Sequence, residues 1–405
     1  MRVDVDFQGS NLEFEIEEER VVARWGGPEG LDPSAASSAI AGALEHPQDF
    51  PAFRQMLVPG DQVALVIDPG IPGVGAVVEA VIEVLGRAGV DRETITIVAP
   101  AGAGAGAGLF PEGRVEVHDP DDRSRIAYLA STRAGRRVYL NRSLTDADVV
   151  VPVGRLRHNV DGGHRGPWSL LYPGMSDRST MQAFRGGDAG GSAEARQHRH
   201  EAQLEEVAEV SWLLGSQFHV GILEAASGML EIIAGRDATV RDRGIAAIER
   251  HWTMEAPERA ELVVAGVGFR EDPGDRPATL EDLAAAIETA AGLVRRGGRM
   301  VVLSRASGPI GPALQRLATL DDPSEAPSAL RELESAEDYP IARLIARAAA
   351  WADLFVASGL DPDLAEGLSI VPIEKPEQAR RLAAAAGSVT FVGHAEMTRA
   401  RVRDE

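Results

Sequence analysis

A buried strand, an amphipathic helix and a second buried strand follow one another at residues 61–100, and this unit most constrains the fold. DQVALVI (61–67) is the first strand, VGAVVEAVIEVLGRAG (74–89) is a helix closed by Gly89, and TITIVAP (94–100) is the next strand. Parallel strands need such a crossover, whose helix covers one face of the sheet. The unit therefore predicts an α/β fold with a parallel-type sheet.

The same alternation restarts near residue 261. ELVVAGVG (261–268) is a strand, TLEDLAAAIETAAGLVRRGG (279–298) is a long helix ended by glycine, and RMVVLS (299–304) is a strand. A chain of 405 residues is also too long for one ordinary hydrophobic core. We therefore predict two α/β domains, residues 1–260 and 261–405.

The composition excludes several classes of partner and site. A net charge of −21 argues against nucleic acid and against anionic membranes, but small anionic ligands stay compatible if arginines cluster locally. The absence of cysteine excludes disulfides, thiolate nucleophiles and cysteine-ligated metals. Without an apolar signal or a membrane-length apolar run, the expected location is cytoplasmic. The sequence leaves the oligomeric state open.

The stretch GRLRHNVDGGHRGPWSLLYPGMSD (154–177) follows the buried strand DADVVVPV (146–153) and is the main candidate site. Ligands of open α/β sheets bind beyond the carboxyl ends of strands. Arg155, Arg157 and Arg165 are candidates to bind a carboxylate or phosphate, and His158 or His164 to move a proton. A solvated surface loop, or a metal site of His158, Asp161 and His164, are the alternatives.

Other segments supply further candidates. Asp68 in DPGIPG (68–73) would orient a ligand, or would only make local turn hydrogen bonds. Gly102 and Gly104 in APAGAGAGAGLF (99–110) would line a cofactor pocket, the alternatives being a dinucleotide site or a plain flexible loop. GGDAGGSAEARQHRHE (186–201) reads as a mobile surface segment, so His198 and His200 are expected to be exposed rather than to bind metal.

The order of these elements resembles the nickel-pincer lactate racemase family. The segments that carry the resemblance are FPAFRQMLVPGDQVALVIDPGIP (50–72), ITIVAPAG (95–102), VYLNRSLTDADVVVPVG (138–154), LLYPGMSDRST (170–180), EEVAEVSWLLGSQFHVGILEAASGMLEIIAGRDATVRDRG (205–244) and AAIETAAGLVRRGGRMVVLS (285–304). The resemblance implies two α/β domains with an active site between them. It also implies racemisation or epimerisation of 2-hydroxy acids by a nickel-pincer nucleotide, which takes hydride while one of two histidines removes the hydroxyl proton.

Most of the family's functional residues are replaced at the matching positions. Asp68 is kept, but Ile71 stands where the first loop has arginine, and one catalytic histidine falls on Ala103 or Gly104. The remaining replacements are Asn159 for a histidine, Ser169 for the cofactor-linked lysine, Arg185 for a further histidine, and Asp282 and Ala285 for glutamine and lysine. Ser169 and Arg185 are then expected to contact the substrate. The only lysine of the chain is Lys375, so a covalent link at position 169 is excluded.

These observations predict a lactate racemase-like protein that acts on a small 2-hydroxy acid or other carboxylate in the cleft between its domains. The resemblance implies a nickel-pincer nucleotide, which here would have to bind without its lysine. The alternative is a non-catalytic relative that binds a small anion or nucleotide, or that regulates a partner. The two hypotheses differ in their need for histidine, because racemisation by the family's route needs two opposed bases and binding needs none.

Overall fold

The computed structural model of the chain describes residues 1–7, 10–102, 114–159, 163–185, 193–268 and 278–403. Its strands are β1 Arg2–Phe7, β2 Ser10–Glu15, β3 Val21–Trp25, β4 Val63–Ile67, β5 Ile95–Ala99, β6 Arg114–Val117, β7 Ile126–Ser131, β8 Arg137–Asn141, β9 Val149–Asn159, β10 Gly163–Arg165, β11 Phe218–Glu224, β12 Met229–Arg236, β13 Thr253–Ala256, β14 Ala260–Gly266, β15 Val294–Leu303, β16 Asp353–Ala357, β17 Val371–Pro372, β18 Val389–Val392 and β19 Arg399–Val402.

Its helices are α1 Pro33–Glu45, α2 Val74–Arg87, α3 Arg142–Thr145, α4 Pro167–Leu171, α5 Arg178–Arg185, α6 Ala193–Leu214, α7 Asp237–His251, α8 Leu280–Leu293, α9 Pro312–Leu317, α10 Ala326–Ala329, α11 Tyr339–Ala349, α12 Pro362–Gly367 and α13 Pro376–Ala385. In the described part of the chain, no helix is both long enough and apolar enough to cross a bilayer.

The first sheet has the strand order β12-β11-β9-β4-β5-β6, and the short β10 pairs with β9. The strands from β11 to β6 run parallel, whereas β12 and β10 are antiparallel to their neighbours. Strands β4 and β11 are buried along their whole length, because side chains from helices pack on both faces of the sheet. Strands buried on both faces consist of nearly continuous apolar residues, and this pattern in a sequence predicts such strands.

The second sheet has the order β17-β16-β15-β14-β18-β3, and all of its strands run parallel. Its last strand, β3, comes from the N-terminal part of the chain. The hairpin β1–β2 also packs here, with Val5 and Phe14 against Leu262 and Phe391 in one buried cluster. Two α/β layers with mostly parallel sheets agree with the predicted fold class. Strand β3, however, joins the sheet of the predicted second domain, and the separate two-stranded sheet β1–β2 packs against it.

Two element predictions are wrong in detail. The long helix predicted over 279–298 ends at Leu293, and β15 begins at Val294, because Arg259 reaches across and donates hydrogen bonds to the carbonyl groups of Ala291, Gly292 and Val294. The segment predicted as a mobile surface stretch over 186–201 is helical from Ala193 onward. Residues 186–192 lie outside the described part of the chain.

Candidate functional site

Polar side chains stand where three neighbouring strands of the first sheet end. Asp68 follows β4 directly, the β9–β10 hairpin extends β9, and Glu224 is the last residue of β11. The Asp282 and Glu281 carboxylates, in the first turn of α8, act electrostatically on Arg155 and Arg157 respectively. The candidate site therefore lies at the carboxyl edge of the first sheet.

Asp68, Arg155 and Glu224 form a buried ionic group at the base of the site. The Arg155 Nε donates to Asp68 Oδ2 at 2.8 Å, and one terminal nitrogen of Arg155 lies 3.8 Å from Glu224 Oε2. The backbone N–H of Gly70 donates to Asp68 Oδ1 at 2.9 Å. A Cβ at Gly70 would lie 2.5 Å from the Arg155 guanidinium carbon, so glycine permits this close approach.

Contacts within this group keep Asp68 negatively charged and Arg155 positively charged. Burial works against ionisation of Asp68, but the Arg155 guanidinium outweighs it and holds the pKa of the carboxyl well below its usual range. Burial likewise disfavours the charged guanidinium, yet Asp68 and Glu224 raise the pKa of Arg155. Arg155 was predicted to bind the ligand. In the structure it pairs instead with two carboxylates of the chain, those of Asp68 and Glu224, and holds Asp68 in place.

Arg157 and Arg165 differ from Arg155 because they lack such partners. They are directly opposite each other across the β9–β10 ladder, and both are half-buried. Neither side chain makes a hydrogen bond or ion pair with any other described residue. Burial and the neighbouring Arg155 and Arg165 lower the pKa of Arg157 to about 10, so the group is still charged at neutral pH. Two guanidinium groups side by side, neither paired with a described residue, suit one carboxylate or phosphate.

The hairpin presents its arginines and its histidines on opposite faces. Side chains alternate along a strand, so Arg155 and Arg157 of β9 share one face, together with Arg165 of β10. We call this the arginine face. His158 is paired with His164 in the same register, on the other side of the hairpin, and their ring centroids are 5.5 Å apart.

The opposite side of the hairpin packs against α6 and α7, and we call it the histidine face. The ring of His164 hydrogen-bonds through Nε2 to Glu249 Oε1 at 3.0 Å. Glu249 also accepts hydrogen bonds from Arg399 and Arg401 of β19. The His200 ring packs over Gly163, where a Cβ would lie 2.6 Å from it.

The histidines of this face are neutral at pH 7. Burial lowers the pKa of His158 to about 4, with smaller effects of the same sign from His164 and Arg399. Burial also lowers the pKa values of His164 and His200, and in His164 this outweighs the opposing effect of Glu249. His158 is thus a base by protonation state, but it lies on the face away from Arg157.

No metal site is evident in the residues that the structure describes, since no three histidine, aspartate or glutamate side chains converge there. Of the predicted metal set, His158 and His164 are adjacent, while Asp161 lies outside the described residues. The QHRH histidines differ from each other: His198 is exposed, as predicted, whereas His200 is half-buried against the hairpin.

The other predicted site residues have more local roles or cannot be placed. The Ser169 hydroxyl donates to the Gly166 carbonyl and accepts from the Gly166 N–H, so it caps α4. Arg185 is the last residue of α5, and only its backbone position is described. Gly102 adopts a left-handed φ of 80°, which favours glycine, and Gly104 lies outside the described residues.

Three acidic residues at the site were missed by sequence reasoning: Glu224, Glu249 and Glu281. Glu224 had a signal, because it is a charged residue at the end of the run FHVGILE, which is otherwise apolar apart from His219 and whose residues are all buried. Glu249 and Glu281 look like ordinary helix-surface residues in the sequence. The hydrogen bond from Glu249 to His164 and the electrostatic effect of Glu281 on Arg157 emerge only in the folded chain.

Comparison with known proteins identifies the relatives of this architecture. Residues 7–189 match the lactate racemase N-terminal domain family. The N-terminal part of this chain is thus similar to that family. The apoprotein of lactate racemase from Thermoanaerobacterium thermosaccharolyticum superposes with a TM-score of 0.78 and 14% identity, over 99% of this chain and 100% of that one. A Thermotoga maritima protein has a TM-score of 0.61 and 11% identity, over 93% and 100%. No curated protein sequence matches.

The residues present do not fit a lysine-linked nickel-pincer cofactor. The resemblance puts the linking lysine at position 169, which here is Ser169, and the Ser169 hydroxyl bonds to the Gly166 backbone. The single lysine, Lys375, is an exposed residue at the start of α13, beside the second sheet. All nine histidines of the chain lie in the described residues, and His158 and His164 of the hairpin are on the face away from Arg157.

Proposed function

We propose that this chain binds a small carboxylate at the carboxyl edge of its first sheet, held by Arg157 and Arg165. The observation that carries the proposal is the pairing of these two guanidinium groups in register, half-buried and without a partner among the described residues. A carboxylate that bridges them gains charge-assisted hydrogen bonds and neutralises two adjacent cations. Arg155 supports the site by fixing Asp68 beside them.

Calorimetric titration with small carboxylates tests the proposal. We expect saturable binding of at least one carboxylate of two to four carbons by the intact chain. Arg157→Gln and Arg165→Gln should each weaken that binding about tenfold or more, since a hydrogen bond to a charged group contributes roughly 1.5–3 kcal/mol. Arg243→Gln is the matched control, because Arg243 is an exposed arginine of α7. Equal affinities in all four proteins would refute the proposal.

Isomerisation of a 2-hydroxy acid is the second candidate, favoured by the fold shared with the lactate racemase apoprotein. It requires a base within hydrogen-bond reach of the ligand's hydroxyl group. The prediction that His158 or His164 supplies this base stays a prediction. Both residues lie on the histidine face, away from Arg157, and this position argues against such a role. Conversion of L-lactate into D-lactate, followed by chiral chromatography and lost in His158→Gln, would support isomerisation.

A further inference from the structure

Strand β10 is short, and its central residue ties it to a helix on the histidine face. The strand spans Gly163–Arg165 and pairs with β9. His164, in its middle, hydrogen-bonds through Nε2 to Glu249 Oε1 of α7 at 3.0 Å. Arg165 follows His164 directly on the same short stretch of extended backbone. The position of the Arg165 guanidinium group therefore depends on the contact between His164 and Glu249.

This contact is a charge-assisted hydrogen bond with one possible direction. Burial works against ionisation of Glu249, but Arg399, His164 and Arg401 outweigh it and keep the pKa of the carboxyl below its usual value. A carboxylate only accepts hydrogen bonds, so the His164 ring donates through its Nε2–H. Hydrogen bonds to an ionised acceptor are roughly twice as strong as neutral ones.

Glu249 is held in turn by strand β19. Its Oε1 also accepts from Arg399, and its Oε2 accepts from Arg401 at 2.8 Å. Strand β19 pairs with β13, and its Ala400 packs on the hydrophobic core of the second sheet. One carboxylate thus joins the hairpin that carries Arg165 to a strand that packs on the other half of the molecule.

Resting on the carboxylate-binding function above, we propose that Glu249 is a positioning residue for it: through His164, Glu249 holds β10 so that Arg165 lies beside Arg157. Glu249 would not touch the ligand, because it packs against the histidine face of the hairpin. A direct electrostatic effect of Glu249 on a bound anion would be repulsive, so its removal would strengthen binding. A positioning role predicts the opposite sign.

Calorimetric titration of variants of the full chain measures this sign. The probe is the tightest binder among acetate, lactate, malonate and succinate. Glu249→Ala should bind it about fivefold more weakly than the native chain, since a residue that acts through Arg165 can cost no more than the loss of Arg165 itself. Glu249→Gln should bind more tightly than Glu249→Ala, because its amide oxygen still accepts from His164. Unchanged or tighter binding by Glu249→Ala would overturn the inference.

Repeating the substitution in two arginine variants separates positioning from a general loss of structure. If Glu249 acts through Arg165, Glu249→Ala should change nothing further in Arg165→Gln, but it should still weaken binding in Arg157→Gln. Equal further weakening in both backgrounds would show that the substitution disturbs the whole site, and the positioning role would be rejected.

Two more variants control for folding. His164→Phe keeps an aromatic ring, removes the Nε2–H and leaves both ion pairs of Glu249 in place, so it should weaken binding about as much as Glu249→Ala. Native affinity in His164→Phe would overturn the inference, whether or not Glu249→Ala folds. Glu261→Ala is the matched control, because Glu261 of β14 also pairs with two arginines and is similarly buried, with 21% of its side chain exposed against 26% for Glu249. Its affinity for the probe should equal that of the native chain.

The arginine variants distinguish failure of this inference from failure of the function on which it rests. If Arg157→Gln and Arg165→Gln weaken binding but Glu249→Ala and His164→Phe do not, the carboxylate site stands and the positioning role is refuted. If no probe binds, or if the arginine variants bind as tightly as the native chain, the carboxylate site fails and the positioning role fails with it.

Discussion

Asp68 anchors the arginine face at the end of β4, so its replacement should destabilise the folded protein. Asp68→Asn keeps an acceptor for the Gly70 N–H but removes the charge that faces Arg155. We expect a loss of about 2 kcal/mol in the free energy of unfolding at pH 7, measured by urea denaturation, because a buried guanidinium loses a charged partner. Asp242→Asn, at an exposed position of α7, should change it by less than about 0.5 kcal/mol.

His158 should make the protein less stable in mild acid. Its folded-state pKa of about 4 lies below the usual value of 6.5, so the unfolded chain takes up the proton first as the pH falls. The stabilising contribution of the neutral ring is therefore complete above about pH 6.5 and is lost as the pH falls toward 4. In His158→Gln, the thermal midpoint should fall less steeply over this window than in His198→Gln. Parallel profiles would contradict the burial of a neutral ring.

Sequence reasoning found the charged residues of the site but not their division into two faces. It selected Asp68, Arg157 and Arg165 because charged residues after a buried strand suit a ligand site. It assigned His158 to the same ligand, because it ended the strand at residue 153 and treated the residues after it as a loop. In the structure β9 continues to Asn159, and successive side chains of a strand point to opposite faces, which separates Arg157 from His158.

At the scale of elements, two helical glycines should respond in opposite directions to alanine. A Cβ at Gly244 of α7 would lie 2.7 Å from the buried Leu156 of β9, whereas Gly42 of α1 has nothing within 4 Å. Gly244→Ala should lower the free energy of unfolding by about 1–2 kcal/mol through overpacking. Gly42→Ala should raise it by up to about 1 kcal/mol through helix propensity. Equal shifts in urea midpoints would refute the close packing of α7 on β9.

The sequence predicted most strands and helices of the first sheet, but not the residues at which elements begin and end. The apolar runs of β4, β5 and β9 and the amphipathic pattern of α2 predict the first sheet, since burial on both faces leaves little choice of residue. The change from α8 to β15 at Val294 was missed, because a local apolar period continues through it. Hydrogen bonds from Arg259, distant in sequence, fix that boundary.

At the scale of the whole molecule, the second sheet depends on the beginning of the chain. Strand β3 pairs with β18, and the hairpin β1–β2 covers Leu262 and Phe391. A fragment of residues 253–403 should therefore expose apolar surface and bind a hydrophobic dye. The same fragment joined to residues 1–25 by a flexible linker should give dispersed NMR signals. A fragment of residues 253–403 that folds alone would contradict this dependence.

We expect a carboxylate to bind on the arginine face of the hairpin, and a crystal structure grown with the tightest-binding carboxylate of the titrations would show where it lies. The carboxylate should lie between the guanidinium groups of Arg157 and Arg165, beside Asp68. A carboxylate seated instead on the histidine face, against His158 and His164, with Arg157 and Arg165 unengaged, would contradict this expectation.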